Sequence, residues 1–407
     1  MPDATARHEG SVGYDPFDTA HLADHFPTLE RLRAEEPVAE VGPGMFYLSR
    51  HADIVAVSLD PETFPQGGFE PLSEEARSFD RRALGETDAP AHTPVRRAMA
   101  AYFRPQVMRE VEPAVGRICR ELVAAVAGRA RFDLVRAIAA PLPARVVAQV
   151  VGLDGALTDR LASYSDDFIL SRAQPGTDLA AEAIARCDAF DDELRLLIRR
   201  RRADPSPPAD LLTALVECEV GGEPISETKV LTHLTNDLIV GGIDTTAHLI
   251  GNLFVELLSD RRRYERVRAD RSLMPVAVEE TLRHLGPVQV VFRRASRDVV
   301  LRGVPIPAGS MLILGLSSGS RDEELCPHAQ VYDLDRPGGN ARRHLGFNIG
   351  LHLCVGAPLA RLEAVTILAT VLDELPALAL AEDFAYERVP FFLMRGATAI
   401  PVTNGAG

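Results

Sequence analysis

Phe347-Asn348-Ile349-Gly350-Leu351-His352-Leu353-Cys354-Val355-Gly356-Ala357-Pro358-Leu359-Ala360-Arg361-Leu362-Glu363 is the stretch on which the reading of this chain turns. A glycine-bearing loop runs up to Cys354, and a helical pattern follows. Leu359, Leu362, Val365, Thr366, Leu368 (with Ile367), Val371, Leu372 and Leu375 recur at helical spacing. The pattern predicts a loop ending on Cys354 and a helix beginning there. A cysteine at a helix N-terminus meets unpaired backbone N–H groups and the positive end of the dipole, which favours the thiolate. A lone cysteine more often packs as a small hydrophobe, so the rest of the chain has to decide.

The longest helical pattern runs from Ser226 to Asp260. At about 1.5 Å per residue it would span roughly 50 Å. It contains Val240-Gly241-Gly242-Ile243-Asp244-Thr245-Thr246. Two glycines inside a helix cost roughly 1 kcal/mol each relative to alanine, so a compensating reason is expected. Without side chains the helix backbone is open to a flat cofactor and a small ligand. Asp244 and Thr245 then place an acid beside a hydroxyl, as a proton relay requires. A kink with a locally bonded threonine is the other reading. Glu280 and Arg283 share a helix face three residues apart, which by itself is a surface ion pair.

The 347–363 run resembles the haem loop of the cytochrome P450 superfamily, Phe-Gly-x-Gly-x-His-x-Cys-x-Gly followed by Leu-Ala-Arg-x-Glu. The departure is Asn348, where that family usually has glycine; asparagine also tolerates positive φ. Gly241 to Thr246 resembles the family's oxygen-binding motif, and Glu280 with Arg283 its Glu-x-x-Arg pair. The resemblance runs from Asp15-Pro16-Phe17 almost to the end of the chain. It implies a mainly α fold with minor β, a single large domain over 1–407 with a long central helix across the haem. It implies Cys354 as the iron ligand, a thiolate that favours O–O cleavage. Phe347, Gly350 and Gly356 would shape the haem loop, and Gly241 and Gly242 the opposite face. His92, Arg96, Arg293 and His352 would bind the propionates. Thr245 would steady dioxygen and Asp244 would help deliver protons. Arg336 would join Glu280 and Arg283 in a buried structural triad.

The activity so implied is that of a soluble bacterial monooxygenase carrying haem b. It would use dioxygen and two electrons, ultimately from NAD(P)H, to hydroxylate or epoxidise a small, mostly apolar substrate. No flavin or iron–sulfur segment is visible, so a ferredoxin and a ferredoxin reductase are the implied partners. Peroxide-driven oxidation, oxidative coupling or rearrangement on the same fold is one alternative. A non-catalytic haem or ligand-binding protein is another. Periodicity places Asp237 and Val240 on one stripe of the long helix with Gly241 and Asp244. Gln289 and Val291 share a strand face, and with the 66–84 loop and Phe392 they would complete a substrate wall.

Composition agrees. The 407 residues are 46% hydrophobic with a net charge of −14, which disfavours nucleic acid as a partner. Five scattered cysteines, Cys119, Cys187, Cys218, Cys326 and Cys354, suit neither a disulfide framework nor a zinc site. A reducing cytoplasm and a monomer are expected, with no membrane partner. The first ten residues hold no apolar core of a signal peptide, and no uninterrupted apolar stretch reaches the roughly 18 residues of a membrane span. Residues 1–15 are expected to be flexible. Val38–Val41 and Met45–Leu48 read as a hairpin around Gly42-Pro43-Gly44, and Phe391–Met394 with Thr398–Val402 as a closing one. Arg199 to Arg202 reads as a solvated helix end. Arg96, Arg97, Arg104, Arg109, Arg342, Arg343 and Arg361 would form a basic docking face for an acidic electron donor.

Overall fold

The computed structural model describes residues 12–18, 24–67, 78–153, 155–174, 176–336 and 343–405. Residues 1–11, the 68–77 part of the 66–84 loop, and Arg342 lie outside them. The chain divides into two compact units. One comprises Met1–Pro71, Glu279–Cys354 and Glu387–Gly396; the other comprises Leu72–Val278, Val355–Tyr386 and Ala397–Gly407.

The first unit is built on a four-stranded sheet in the order Val38–Gly42, Met45–Leu48, Met311–Gly315, Val290–Arg294. The first pair is the expected hairpin, antiparallel with Val38 opposite Leu48; Gly44 turns it at φ 66°. Met45–Leu48 then runs parallel to Met311–Gly315, which pairs antiparallel with Val290–Arg294. Alternation sorts the side chains to two faces. Phe46, Leu48, Leu312 and Leu314 enter one core with Ile54 and Leu345. Tyr47 and Ile313 enter the other with Leu29, Leu32 and Tyr14. Within the described part of 1–15, Tyr14 departs from the expectation of flexibility: it is buried, and its ring stands edge-on to Tyr47 at 5.1 Å. On the Phe26–Glu35 helix, buried Arg33 grips Glu323 with two bonds of 2.7 and 3.0 Å.

The second unit is mainly helical. Its long helix is capped by the Ser226 hydroxyl, which accepts from Lys229 N at 3.0 Å. The helix runs from Glu227 to Leu258, as the periodicity predicts, but not as a plain α-helix. His233–Val240 is a π-helical stretch between Glu227–Thr232 and Gly241–Leu258. Such wide turns are frequent at functional sites, and residue periodicity does not reveal them. Leu249, Ile250, Leu253, Phe254 and Leu257 are all buried, so this is a core helix, apolar nearly all round. It is long and apolar enough to cross a membrane, yet most of its apolar window is buried inside the protein. Gly152, at φ 85°, ends the Pro141–Val151 helix in the left-handed conformation that favours glycine.

Three further expectations are corrected. The closing hairpin does not form. Pro401–Asn404 pairs instead with Leu378–Leu380 and Arg131–Asp133 in a three-stranded antiparallel sheet. Phe391–Met394 is a turn whose carbonyls at Phe391, Phe392 and Met394 accept from the Arg388 guanidinium. The helix after Cys354 begins only at Ala357, with Gly356 as its N-cap; Pro358 suits its first turn. The Arg199–Arg202 run is not simply solvated. Arg199 forks onto Glu227, Arg202 bonds the Ile225 carbonyl, and buried Arg201 binds Asp210 and Thr213.

Candidate functional site

Cys354 is exposed, and the four other cysteines are buried. Burial pushes the Cys119 thiol up to about 12 and that of Cys187 to about 11, so both are held as inert thiols. The loop that presents Cys354 is anchored at its start and at its end. Leu345 N donates to the Ser320 hydroxyl at 2.9 Å, and His344 Nε2 lies 3.1 Å from Glu279. Asn348 stands at φ 58°, and its side-chain oxygen accepts from Ile349 N at 2.8 Å. The asparagine thus takes the left-handed position usually given to glycine. Gly350, at φ 69°, opens the turn to His352, where an added Cβ would meet Leu59 at 3.0 Å. Cys354 N closes the loop onto the Phe347 carbonyl at 2.8 Å.

The segment leading to this loop is held by the expected triad. Arg283 makes two bonds of 2.8 Å to Glu280, and Arg336 Nε approaches both Glu280 oxygens at 3.1 and 3.2 Å. The arginines also collect backbone carbonyls: Arg283 those of Ala329 and Val331, Arg336 those of Pro327 and Val331. All three side chains are buried, which excludes a surface ion pair. In the same unit Arg293 ends its strand buried, donating to Gln66 at 2.9 Å. Gln289 is buried just before that strand, with its amide on the Gly286 carbonyl at 2.7 Å. Val291 packs at the margin of the core. Phe392 stacks edge-on with Phe17 at 5.0 Å and Phe292 at 6.2 Å.

In the second unit Gly242 has a packing reason: a Cβ there would meet Val147 of the Pro141–Val151 helix at 3.0 Å. Gly241 is exposed. The Thr245 hydroxyl donates to the Gly241 carbonyl at 2.6 Å. That is the locally bonded state, and it leaves the hydroxyl oxygen able to accept. Asp244 beside it is half-buried, and burial raises its pKa to about 7. Its Oδ2 accepts from the Ser165 hydroxyl at 2.5 Å. His92 opens the His92–Ala100 helix fully buried, with Arg96 half-buried one turn on. Val240 is buried at the end of the π stretch.

Asp237 is corrected as an open wall of a ligand pocket. Both its oxygens accept from Leu84 N, at 2.9 and 3.1 Å, and His233 Nδ1 lies 2.7 Å away. One turn earlier the Thr232 hydroxyl donates to the Asp80 carbonyl, and buried Lys229 donates to the carbonyls of Phe79 and Arg82. Burial lowers the Lys229 pKa to about 8. The start of the long helix is therefore a clamp on residues 79–84. Sequence reasoning missed Lys229 and His233, although Lys229, His233 and Asp237 recur at four-residue spacing on one helix face. Nothing in the sequence pointed to Ser165.

The cytochrome P450 family model matches residues 177–377. "Cytochrome P450 107B1" of Saccharopolyspora erythraea is 32% identical over 407 residues, covering 96% of this chain and 97% of that protein. The chain belongs to the cytochrome P450 family. Cyclomarin C epoxidase CymV of Salinispora arenicola is 32% identical, with 85% of this chain and 87% of that one covered. Among solved structures, the post-tailoring hydroxylase HmtN of himastatin biosynthesis superposes with a TM-score of 0.81 at 29% identity, over 93% of this chain and 96% of that chain. The mainly helical fold is thus the P450 fold, and the enzyme belongs to a family of haem monooxygenases. The donor chemistry fits the haem at the ligand: an exposed cysteine ends an anchored loop.

Proposed function

We propose that this protein is a P450 monooxygenase that hydroxylates or epoxidises a small, mostly apolar organic substrate with dioxygen and two externally supplied electrons. The observation that carries the reading is Cys354, the one exposed cysteine of the five. Cys354 would ligate the iron of haem b. His92, Arg96, Arg293 and His352 would hold its propionates, and Phe347, Gly350 and Gly356 would shape the loop beneath it. Haem, when bound, supplies the activation of dioxygen. Gly241 and Gly242 leave the helix backbone without side chains there. Asp244 would donate protons and Thr245 would hold dioxygen in hydrogen-bonding range. Val240, Val291, Gln289 and Phe392 are proposed as substrate walls. The chain would act as one catalytic domain, monomeric, in the cytoplasm.

An acid whose pKa is near 7 is suited to giving and regaining a proton at neutral pH. The presence of Asp244 and Thr245 supports the oxygen-dependent reaction over a peroxide-driven one. With reductase, ferredoxin and NAD(P)H supplied, Asp244→Asn should slow turnover strongly at unchanged haem content. Thr245→Ala should divert reducing equivalents into hydrogen peroxide. The test compares NAD(P)H consumed, peroxide and product. Tightly coupled product formation in both variants would remove the relay assignment. No turnover of any compound in a broad panel that gives spectral binding shifts would favour the non-catalytic binder.

The electron donor is proposed to be an acidic ferredoxin served by a reductase. Arg97, Arg104, Arg109 and Arg343 are exposed, against a net charge of −14 that would otherwise repel it. Steering by such charges weakens as salt screens them over a Debye length of about 10 Å at 0.1 M. Haem reduction by the ferredoxin should slow as ionic strength rises, and more so after charge reversal at Arg104 or Arg343, with substrate binding unchanged. Reduction rates indifferent to salt and to both reversals would leave the docking face unsupported.

A further inference from the structure

The partner of Asp244 is a residue that no motif contains. Ser165 lies on the Leu161–Ala173 helix with no exposed surface, and its hydroxyl donates to Asp244 Oδ2 at 2.5 Å. Its own helix is held by residues on either side of it in sequence, Tyr164 and Asp167. Tyr164 donates to Asp191 at 2.9 Å, and Asp167 takes two bonds from Arg186 at 2.6 and 2.8 Å; both partners stand on the Asp178–Ala203 helix. The hydroxyl is therefore held in place against the carboxyl. We propose that Ser165 is a positioning residue for Asp244, a partner that can serve its carboxyl both before and after it gives up a proton.

The physical reason is the two-sided chemistry of a hydroxyl. Serine donates to an ionised carboxylate and accepts from a protonated one. An arginine or lysine in its place could only donate and would hold Asp244 ionised through every cycle. The charged groups on the elements packed against its helix agree with a carboxyl kept in balance. Asp166, beside Ser165, raises the Asp244 pKa in addition to burial. Arg136, from the packed π-helical segment, is paired with Asp133 at 3.7 Å. Arg145, from the packed Pro141–Val151 helix, is paired with Glu121 at 3.5 Å. Glu363, from the packed Ala357–Glu374 helix, is buried, and that burial pushes its carboxyl well above the usual carboxylate range. Among these described groups none is a cation bonded to Asp244, and the serine is a hydrogen-bond partner.

The proposal rests on the reading of Asp244 as a proton donor, and its test separates the two. The Asp244 carboxyl band is followed by infrared difference spectroscopy across pH in the full-length holoenzyme, and Asp244→Asn identifies the band by its loss. The Ser165 bond favours the ionised form, so Ser165→Ala should move the midpoint upward by about one unit. Ser165→Thr, which restores a hydroxyl, should return it toward the wild-type value, and Ser165→Cys, a weaker donor, should fall between. The alkaline limb of the turnover profile should move in the same direction. An unmoved or lowered midpoint in Ser165→Ala, or a threonine variant that behaves as alanine, would overturn the role of Ser165. A shifted band with an unshifted turnover profile would instead remove Asp244 from proton delivery and keep the bond.

Discussion

Replacing Cys354 with serine should abolish the red-shifted Soret band that the reduced protein gives with carbon monoxide, and with it all turnover. That band reports thiolate ligation, and an alcohol oxygen does not supply the thiolate's electron density to the iron. Substituting Cys119, Cys187, Cys218 or Cys326 should leave the band in place. Those thiols are buried, and for Cys119 and Cys187 burial also keeps them protonated. The serine variant should still fold, because Cys354 is exposed and the loop is held by backbone bonds such as Cys354 N to the Phe347 carbonyl. A Cys354→Ser protein that retained the band would sink the ligand assignment.

Glu280→Ala should cost about 3–5 kcal/mol, the penalty for breaking a buried ion pair from one side. Two guanidiniums, Arg283 and Arg336, would lose their common carboxylate inside the protein. Asp333 N would lose its acceptor as well. Against a total stability of about 5–15 kcal/mol, this is enough to leave much of the protein unfolded or free of haem. The measurement is the urea midpoint at constant slope together with the haem content of the purified protein. Replacing Arg336 alone should be milder, since the Glu280–Arg283 pair survives with both its bonds. A loss under 1 kcal/mol in Glu280→Ala would mean that the triad is no more than a solvated pair.

The two assignments differ in how they could be read from the chain. Cys354, Gly350 and Asn348 are neighbours in sequence, and their roles follow from local backbone chemistry. The left-handed φ of Asn348 is a property of the residue and its own side-chain bond to Ile349 N. The same holds for the hairpin at Gly44 and for the Ser226 cap, where turn and cap residues act on groups within a few positions. The triad was named only through the resemblance to a family, because spacing alone pairs Glu280 with Arg283 on any helix, exposed or buried.

Where the reading failed, a distant segment had made the decision. The Thr398–Val402 run has the composition of a strand. Only its end, Pro401 and Val402, enters a strand, and that strand, Pro401–Asn404, pairs with Leu378–Leu380 and Arg131–Asp133, not with the adjacent Phe391–Met394, whose carbonyls the Arg388 side chain had taken. Strand propensity says that a segment will pair, not with what. Asp237 shares a helical stripe with Val240, yet its carboxyl is occupied by Leu84 N, 153 residues away. The π-helical stretch at His233–Val240 likewise leaves no mark in the spacing of side chains.

By itself, then, the sequence determined what short-range chemistry can dictate: a cysteine at the end of a positive-φ loop, an acid and an alcohol side by side on an apolar helix, a capped start to that helix, and an acidic chain with no disulfide framework. Only the tertiary structure decided which carboxylates are free and which are spent, and which of them titrates near neutrality. Asp237 and Asp244 sit seven residues apart on one helix, with the same side chain. One is tied to a backbone amide and a histidine; the other is half-buried against a serine hydroxyl and raised to about 7. That difference is one of desolvation and partner, and apart from His233, one turn away on the same helix, these are supplied by segments that meet the helix only after the chain has folded.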